Sequence, residues 1–517
     1  MARTINGVAT SITAFIGRAR WGPLNRATRI QSYADFARRF GGLWRQSTMS
    51  YAVQHFFLHG GEDAIIVRVT NGATGSAIVL GAGGSSLVLV SSSAGEWANA
   101  LRVAVAHQVG TAADSTANSN TFDLTVQLLD SGAMMSSASP TVVSTEVFRN
   151  VSISADSPRE ISRILEQESA LVRVNGTVPA VRPAATTNGP PPDSNTPDDW
   201  EANDAGGDDG AALSDAQISA SRLQTQHQGL WALDDVDLFN LLCIPPLSPT
   251  ADVDAATTLA TAAAYCRSRR AFLIVDAPSS WANTAAASAG VNEMRAAIGN
   301  ARDHAAVYFP RLRMPDALQE NRSADFASCG AVAGIMARID ASRGVWRAPA
   351  GIEATFSGVR QFTFALDDSA IGILNPLGLN CLRSVEPSGK VVWGSRTLDG
   401  ADQLASEWKY VPVRRLALFL EESLYRGTQW AVFEPNEEPL WAELRLSIGA
   451  FMQDLFRRGA FQGRAPRDAY FVKVGGETTT QNDIDLGIVN LVVGFAPLKP
   501  AEFVALKIRQ RAGQIEA

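Results

Sequence analysis

Two groups of side chains in this sequence have types and spacings that could support chemistry. His55 and His59 are four residues apart, which places both imidazoles on one face of a predicted helix, as in a two-histidine metal site. No third ligand accompanies them, so packing histidines are the more common explanation. Asp276 ends a predicted strand and, with His304 and a serine, has the side chains of a hydrolytic triad. The sequence has no Gly-x-Ser-x-Gly turn, and an aspartate just ahead of a proline is commonly a turn former, so we do not expect an enzyme.

The signals for cofactors and non-protein partners are weak. The glycine-rich stretches 72–75 and 81–84 lack both the Gly-x-Gly-x-x-Gly spacing and a Walker lysine, which indicates loops. The net charge of −7 includes no basic domain, and no apolar run nears the ~20 residues that span a bilayer. We therefore expect no cofactor, no metal, no nucleic acid partner and no direct membrane insertion. The cysteines are far apart, which is typical of buried thiols in a reducing compartment: Cys243, Cys266, Cys329 and Cys381.

At 517 residues the chain is too long for one hydrophobic core, so several domains are expected. Apolar runs alternate with helical segments in two separate parts of the chain, and this β-α-β rhythm predicts a parallel sheet. We expect one α/β domain, built from residues 13–70 and 229–350. Its predicted strands lie at residues 13–17, 63–69, 238–244, 271–275 and 305–309.

Between these two parts the pattern changes. Residues 71–180 contain short alternating runs among Gly, Ser and Asn, which predict an inserted β-sandwich of roughly a hundred residues. Residues 181–228 contain a Gly-Pro-Pro-Pro run and many acidic side chains against few arginines. Low hydrophobicity and high charge predict a solvent-exposed, flexible insertion there, which is a poor candidate for chemistry.

The C-terminal part has predicted helices followed by short strand-like runs. Residues 414–426 and a segment that begins after Asn436 have apolar residues at helical spacing, with Asn436 as the expected N-cap. In the last strand-like run Val504, Leu506 and Ile508 share one face. A single strand at a terminus is stable only when a sheet accepts it, and the sequence shows no acceptor. The strand-like runs are residues 470–474, 487–495 and 502–510.

Short motifs occur in a fixed order along the chain. They are TSITAFIGRA at 10–19, GEWANALRV at 95–103, RGVWRAPAG at 343–351, GLNCLR at 378–383, VWGSRTL at 392–398, WKYVPVRR at 408–415 and APLKPAEF at 496–503. In this order they resemble the tail sheath proteins of contractile phages, a family that phage tail-like injection systems share. The family more often has Gly at Ala98 and another residue at Ala100. The resemblance covers nearly the whole chain except the acidic insertion.

The resemblance implies a multidomain fold of the α/β plus β class. Its parts are the α/β parallel-sheet middle domain, the inserted β-sandwich and an inner α+β C-terminal domain, residues 351–500, that grips a tail tube. Extended terminal arms, residues 1–12 and 501–517, are expected to add strands to sheets of neighbouring subunits. Pro497 and Pro500 are expected to form the joint from which the second arm reaches. The expected arm residues are Thr4, Asn6, Val8, Glu502, Phe503, Val504, Leu506 and Ile508.

By the same resemblance the function is mechanical. Subunits polymerise as hexameric rings stacked helically, and contraction drives an inner tube through a target envelope. The implied partners are other copies of the chain, the inner tube protein, and baseplate and terminator or cap proteins, in a particle assembled in the bacterial cytoplasm. An α/β hydrolase-like enzyme and a component of a type VI secretion sheath remain the alternatives. The sequence leaves open which particle contains the sheath: a phage tail, a tailocin or an extracellular injection system.

Tube contact is expected to use basic side chains of the inner domain, because the tubes of this family often present acidic groups outward. The candidates are Arg457, Arg458, Arg464 and Arg467. Arg457 and Arg458 also suit the end of the preceding helix, where positive charge complements the helix dipole, and this alternative stays open.

Overall fold

The computed structural model describes residues 3–83, 85–107, 120–130, 141–186, 199–202 and 206–502. The strands in these ranges are β1 Thr13–Gly17, β2 Thr28–Ile30, β3 Ala64–Arg68, β4 Ala77–Ala82, β5 Ser85–Ser91, β6 Leu101–Ala106, β7 Thr121–Leu129, β8 Val142–Ser152, β9 Val172–Asn175, β10 Glu201–Ala202, β11 Leu241–Cys243, β12 Phe272–Asp276, β13 Ala305–Phe309, β14 Leu312–Asp316, β15 Arg322–Phe326, β16 Gln361–Phe362, β17 Asn380–Val385, β18 Gly389–Val392, β19 Tyr470–Lys473 and β20 Val492–Phe495. The α-helices are α1 Tyr33–Phe40, α2 Thr48–Leu58, α3 Ile161–Glu168, α4 Ala216–Ser219, α5 Arg222–Thr225, α6 Ala260–Ser268, α7 Thr284–Ile298, α8 Cys329–Arg343, α9 Asp368–Leu374, α10 Val411–Thr428, α11 Glu438–Arg457, α12 Pro466–Ala469 and α13 Gln481–Asp485.

The central sheet has the strand order β18-β17-β13-β12-β11-β1-β3-β2. Its inner strands run parallel, and antiparallel β18 and β2 close the two edges. Alternate residues of β1 reach different cores, because Ala14 and Ile16 pack on one face of the sheet and Phe15 packs on the other. Residues of α6 and α7 complete the first core, and residues of α2 and α8 complete the second. This confirms the parallel sheet that the β-α-β rhythm predicts.

Between β3 and β11 the chain forms two antiparallel sheets, β10-β6-β7-β8 and β4-β5-β9. Their inner faces share one core, in which Leu80 and Leu89 of one sheet cluster with Val103 and Leu124 of the other. Helix α3 contributes Ile161 to the same core. Two antiparallel sheets around a shared core are a β-sandwich, as the alternating runs predict.

Part of the predicted acidic insertion belongs to the body of the protein. Leu213, Ile218 and Leu223 are buried in one of the two cores of the central sheet. Trp200 is also buried, with the Arg102 guanidinium 4.1 Å from the centre of its ring. Most side chains of residues 206–228 are exposed or half-buried, as predicted, whereas the apolar side chains spaced among the acidic ones are buried and anchor the segment. Residues 187–198 and 203–205 of the insertion lie outside the described residues.

Residues 351–410 contribute no buried side chain to the C-terminal core, which contains Ile5, Val345 and Trp346 and then residues from Leu416 onward. Strands β17 and β18 pair into the central sheet, where Leu382 and Val392 are buried. Helix α10 belongs to both bodies, since its Leu418 packs in a central core whereas its Leu416 and Leu420 pack in the C-terminal core. The C-terminal core also contains residues of α11, α12 and the β19-β20 hairpin. Residues 351–410 thus lie in or next to the central sheet, and α10 connects the two bodies.

Helix α11 begins one residue later than its predicted cap implies. Its N-cap position is Glu437, which makes no side-chain cap hydrogen bond. The predicted cap, Asn436, instead donates to the main-chain oxygen of Ile488 and accepts a hydrogen bond from the Trp441 indole. No helix within the described residues is both long enough and apolar enough to cross a membrane.

Candidate functional site

The two histidines at helical spacing do not form a metal pair. His59 uses both ring nitrogens, since Nδ1 lies 2.6 Å from the main-chain oxygen of His55 and Nε2 accepts a hydrogen bond from Ser357 N at 3.0 Å. His55 is buried against the Phe326 ring, and burial lowers its pKa to about 3, so its imidazole is neutral. Both residues are packing histidines.

The proposed catalytic pair is also not assembled. The Oδ1 atom of Asp276 accepts hydrogen bonds from Ser328 N at 2.7 Å and Cys329 N at 2.8 Å, which caps the start of α8. Asp276 pairs with Tyr308 across β12 and β13, whereas His304 precedes β13, so the two side chains are separated by roughly 13 Å of strand rise. This contradicts a triad built on Asp276 and His304.

The cysteine thiols are free and buried, as the sequence predicts. Burial raises the pKa of Cys381 to about 12, which keeps its thiol protonated. Within the described ranges, no group of three or more His, Cys, Asp or Glu side chains is arranged to hold a metal ion.

The first described residues lie on the C-terminal body of their own chain. Residues 3–10 form neither helix nor strand, and their one buried side chain, Ile5, belongs to the C-terminal core. Gly427 permits this contact, because a Cβ atom at that position would come within 2.5 Å of the Ile5 side chain. Arg3 N donates to Ser447 Oγ at 3.1 Å, which ties the segment to α11. Two of the expected arm residues, Thr4 and Asn6, are exposed, and the third, Val8, is half-buried.

The N-terminal segment is rooted where it enters the body. Arg415 donates from Nη2 to the main-chain oxygen of Thr10 at 3.0 Å and forms an ion pair with Asp340 at 2.5 Å. Both side chains of this ion pair are only 3% exposed. Asn240 adds a second bond, from Nδ2 to the main-chain oxygen of Ala9 at 2.8 Å. The root therefore holds main-chain oxygens through one buried side chain, that of Arg415, and one half-buried side chain, that of Asn240.

The C-terminal body carries a small sheet with unpaired edges. Antiparallel β19 and β20 pair Tyr470 with Phe495 and Lys473 with Val492, and no third strand joins them among the described residues. Phe471 is 50% exposed and Val492 44% exposed, so the outer face is partly apolar. An open sheet edge with exposed apolar side chains is a site where a further strand can pair.

The C-terminal segment returns from this small sheet to the central body. Gln462 N donates to the main-chain oxygen of Ala496 at 2.8 Å, and Leu498 packs against the C-terminal core, so the proline spacer is held rather than free. Four residues later the Glu502 carboxylate binds the Arg396 guanidinium, with Nη2 and Oε2 2.5 Å apart. The other expected arm residues of this segment, Phe503, Val504, Leu506 and Ile508, lie outside the described residues.

The basic candidates lie together in the chain and are exposed. They follow from the last turn of α11 to α12 and are Arg457, Arg458, Arg464 and Arg467. The ion pairs near them are loose, at 3.9 Å from Arg458 to Asp454 and 3.8 Å from Arg467 to Asp468. Exposed pairs of this length contribute little, so most of the positive charge stays available to a partner.

Several residues that organise the segment roots were not predicted as functional. Arg396, Asn240 and Arg415 are ordinary polar residues in the sequence, and their roles depend on contacts between distant positions. Arg396 and Arg415 do lie within family-like motifs, VWGSRTL and WKYVPVRR. The motifs were thus the available signal, although they do not show what each arginine binds.

Comparison with known proteins shows that the C-terminal region is similar to one family. Residues 404–511 match the family described as phage tail sheath C-terminal domain. The chain is 27% identical over 127 residues to the tail sheath protein of Vibrio phage KVP40. That stretch is 24% of this chain, and the match spans 18% of the length of the phage protein.

The fold is similar to solved structures over nearly the whole chain. The anti-feeding prophage baseplate matches with a TM-score of 0.56 at 21% identity, covering 99% of this chain and 96% of that chain. The PVC sheath complex of an extracellular contractile injection system, in the contracted state, matches with a TM-score of 0.57 at 20% identity, covering 99% and 94%. The sheath tail protein of Listeria innocua matches with a TM-score of 0.60 at 13% identity, covering 96% of each chain.

Proposed function

We propose that this chain, a member of the phage tail sheath family, is the structural subunit of a contractile sheath that surrounds an inner tube. Contraction of the sheath drives the tube through a target envelope. The observation that carries the proposal is the agreement of its fold with sheath proteins over 99% of the chain, together with the sheath C-terminal domain at residues 404–511. A type VI sheath component and a hydrolase-like enzyme are not favoured.

The proposed joint between subunits is the open β19-β20 sheet. A terminal arm of one subunit adds a strand to this sheet in its neighbour, by β-augmentation. Among the described residues β19 and β20 have no further strand partner, and this together with the exposed Phe471 and Val492 supports the acceptor role. A strand of about five ladder hydrogen bonds at roughly 1 kcal/mol each contributes several kcal/mol per arm. Such joints keep subunits connected while the bodies move relative to one another.

The N-terminal arm needs one additional step in this proposal. Residues 3–8 lie on their own C-terminal body, where one buried side chain, Ile5, and few main-chain hydrogen bonds hold them. Exchange of such a segment between identical copies replaces each contact by the same contact in the neighbour, as in domain swapping. Thr4, Asn6 and Val8 then bridge subunits in the assembled sleeve.

The domain arrangement proposed for the sleeve follows from the two bodies. The C-terminal body from α10 onward is the inner part, which carries the exposed Arg457, Arg458, Arg464 and Arg467 toward the tube. The central α/β body and the β-sandwich lie outside it. The partners are then further copies of the chain in stacked rings, the tube protein, and the baseplate and cap proteins at the two ends. The particle is a phage tail or a phage tail-like particle, assembled in the bacterial cytoplasm.

Electron microscopy of the purified chain tests the function. The wild type is expected to form striated tubes or hexameric rings. Leu506→Pro removes a ladder donor and is expected to abolish sleeves while the subunit keeps a cooperative melt. Leu506→Val keeps an apolar strand former at the same position and is the matched control. Normal sleeves from Leu506→Pro would contradict the arm assignment.

A second experiment tests the tube contact. Replacing the four exposed arginines by serine is expected to leave self-assembly intact but to weaken binding to the purified tube protein about tenfold or more, since each exposed pair is worth ~0.5 kcal/mol. Added salt is expected to weaken the wild-type contact in the same direction. Arg322→Ser with Arg343→Ser removes exposed arginines elsewhere and is the control. Equal tube binding by both sets of variants would refute the assignment.

A further inference from the structure

The segment after β20 crosses from one body of the protein to another. Ala496 and Leu498 are attached to the C-terminal body, by a hydrogen bond from Gln462 N and by packing respectively. Glu502 is attached to Arg396, which lies between β18 and α10 beside the central sheet. The chain therefore forms a short strap, with one end on each body.

Arg396, the receptor for Glu502, is held in place by contacts that do not involve Glu502. Arg396 is 1% exposed, and its main chain is fixed by the fully buried Asn380, which accepts from Arg396 N and donates to Arg396 O, both at 2.7 Å. The Nη1 atom donates to Gly400 O at 3.1 Å and to Asp402 Oδ1 at 2.9 Å. The remaining donors, Nε and Nη2, point at Glu502. Removing the carboxylate leaves these buried donors without their partner.

The Glu502 carboxylate accepts two parallel hydrogen bonds from the Arg396 guanidinium. Arg396 Nε lies 2.7 Å from Oε1 and Nη2 lies 2.5 Å from Oε2, which is the bidentate geometry of the strongest side-chain hydrogen bonds. Tyr410 donates its hydroxyl to Oε2 at 3.2 Å, and Lys409 lies 4.0 Å from the same oxygen. Burial is the largest single effect and opposes ionisation of Glu502, yet the interactions with Arg396, Lys409 and Asn375 together lower the pKa of the carboxyl. The carboxylate is thus held on three sides by donors or positive charge.

We propose that Arg396 and Glu502 form a clamp that fixes the take-off point of the C-terminal arm at residue 502, beside the central sheet. The expected joint at Pro497 and Pro500 is then a fixed strap. Opening the clamp frees the four residues from 499 to 502, and at ~3.6 Å per residue the start of the arm can then lie anywhere within about 14 Å of Leu498. The consequence for spacing between subunits rests on the proposed function, whereas the clamp itself does not.

A spin label tests the clamp in the unassembled subunit. Ala501 is exposed and all four native cysteines are buried, so Ala501→Cys accepts a nitroxide selectively. In the wild-type background the label is expected to be immobile. Glu502→Gln keeps the shape of the side chain but removes its charge. Arg396→Lys keeps the charge but cannot donate two parallel hydrogen bonds to the carboxylate. Both variants are therefore expected to raise the mobile fraction of the label spectrum about tenfold or more.

The control is Glu353→Gln, which removes a carboxylate from the exposed pair with Arg343 and is expected to leave the label unchanged. Equal label mobility in the wild type, Glu502→Gln and Arg396→Lys would overturn the clamp.

Helical reconstruction of sleeves then tests the consequence for assembly. Sleeves of Glu502→Gln are expected to form at lower yield and with a wider spread of subunit rise than those of the wild type and of Glu353→Gln. A released label with unchanged sleeves would overturn the role of the clamp in subunit spacing. Failure of the wild type to form any sleeve would contradict the proposed function alone, since the label experiment does not depend on assembly.

Discussion

The N-terminal and C-terminal segments are both rooted on the body by an arginine, but the two arginines bind different groups. Arg415 donates to a main-chain oxygen, that of Thr10, and is itself neutralised by buried Asp340. Arg396 binds a side chain of the segment, the carboxylate of Glu502. The first root therefore recognises backbone, whereas the second recognises one residue type.

This difference determines how each root can be broken. A main-chain oxygen is present whatever side chain the segment carries, so the N-terminal root is sensitive mainly to changes in its receptor. The C-terminal root depends on an ionised side chain, so one isosteric substitution or a proton removes it. The two roots can be opened independently, which allows the contribution of each arm to assembly to be separated.

The largest effect is expected from the N-terminal receptor. Asp340→Ala leaves Arg415 as an uncompensated buried charge, which typically costs about 3–5 kcal/mol. We expect the urea midpoint of the transition that includes α8 and α10 to fall accordingly. Glu353→Ala, which removes the acid of an exposed pair, is expected to cost at most about 1 kcal/mol. Equal costs for the two variants would show that the buried pair does not support the root.

The next effect concerns the contact of the N-terminal segment with the C-terminal core. Ile5→Ala truncates the one buried side chain of residues 3–10, and a truncation of this kind costs about 2 kcal/mol or more. We expect trypsin to cleave after Arg3 about thirtyfold faster, as measured by intact mass, because cleavage requires the segment to open. Thr4→Ala, at an exposed neighbour, is the matched control and is expected to change the rate less than about twofold. Similar rates for both variants would refute the proposed anchoring.

An acid titration tests the C-terminal root. The pKa of Glu502 is lowered in the folded chain, and a carboxylate of this kind stabilises above its unfolded pKa and loses that contribution as pH falls through the folded value. We expect the label on Ala501→Cys to stay immobile through the ordinary glutamate range and to become mobile only below it, in spectra recorded from about pH 7 to about pH 3. With Glu502→Gln the label should be mobile throughout. Release at or above the ordinary glutamate pKa would contradict the clamp geometry.

The smallest effect is expected from a side chain within the N-terminal segment. Ala9 is exposed, and its contact with Asn240 uses its main-chain oxygen. Ala9→Ser should therefore change the apparent free energy of unfolding by less than about 0.5 kcal/mol, as judged by the urea midpoint. A loss of more than about 1 kcal/mol in the free energy of unfolding would show that the N-terminal root also depends on the side chains of the segment.

The sequence was most informative where structure is periodic and local. The parallel strands and the inserted sandwich both follow from apolar patterns along the sequence. The burial of Leu213, Ile218 and Leu223 was missed because these three apolar side chains, spread among acidic ones, form no period. The number of strands in the central sheet was underestimated because β17 and β18 join it from a distant part of the chain.

The candidate site was less predictable because it consists of residue pairs that are far apart in the sequence. The family-like motifs contain Arg396 and Glu502, yet only the fold shows that the two motifs meet. The same holds for His55 and His59, whose helical spacing suggests a shared ligand although their imidazoles serve packing between elements. Spacing fixes which residues share a helix face, whereas the partner opposite that face is set by tertiary structure.

The central claim is that a terminal arm of one subunit pairs with the β19-β20 sheet of another. The most direct test places a photo-crosslinking amino acid at Leu506 and assembles sleeves from an equal mixture of unlabelled and nitrogen-15-labelled chains. Mass spectrometry of the cross-linked peptides then shows which chain and which residues were captured. We predict cross-links to residues 470–495, with mixed isotope pairs as frequent as random mixing of subunits requires. Cross-links found only between peptides of the same isotope would place the arm on its own subunit and contradict the account.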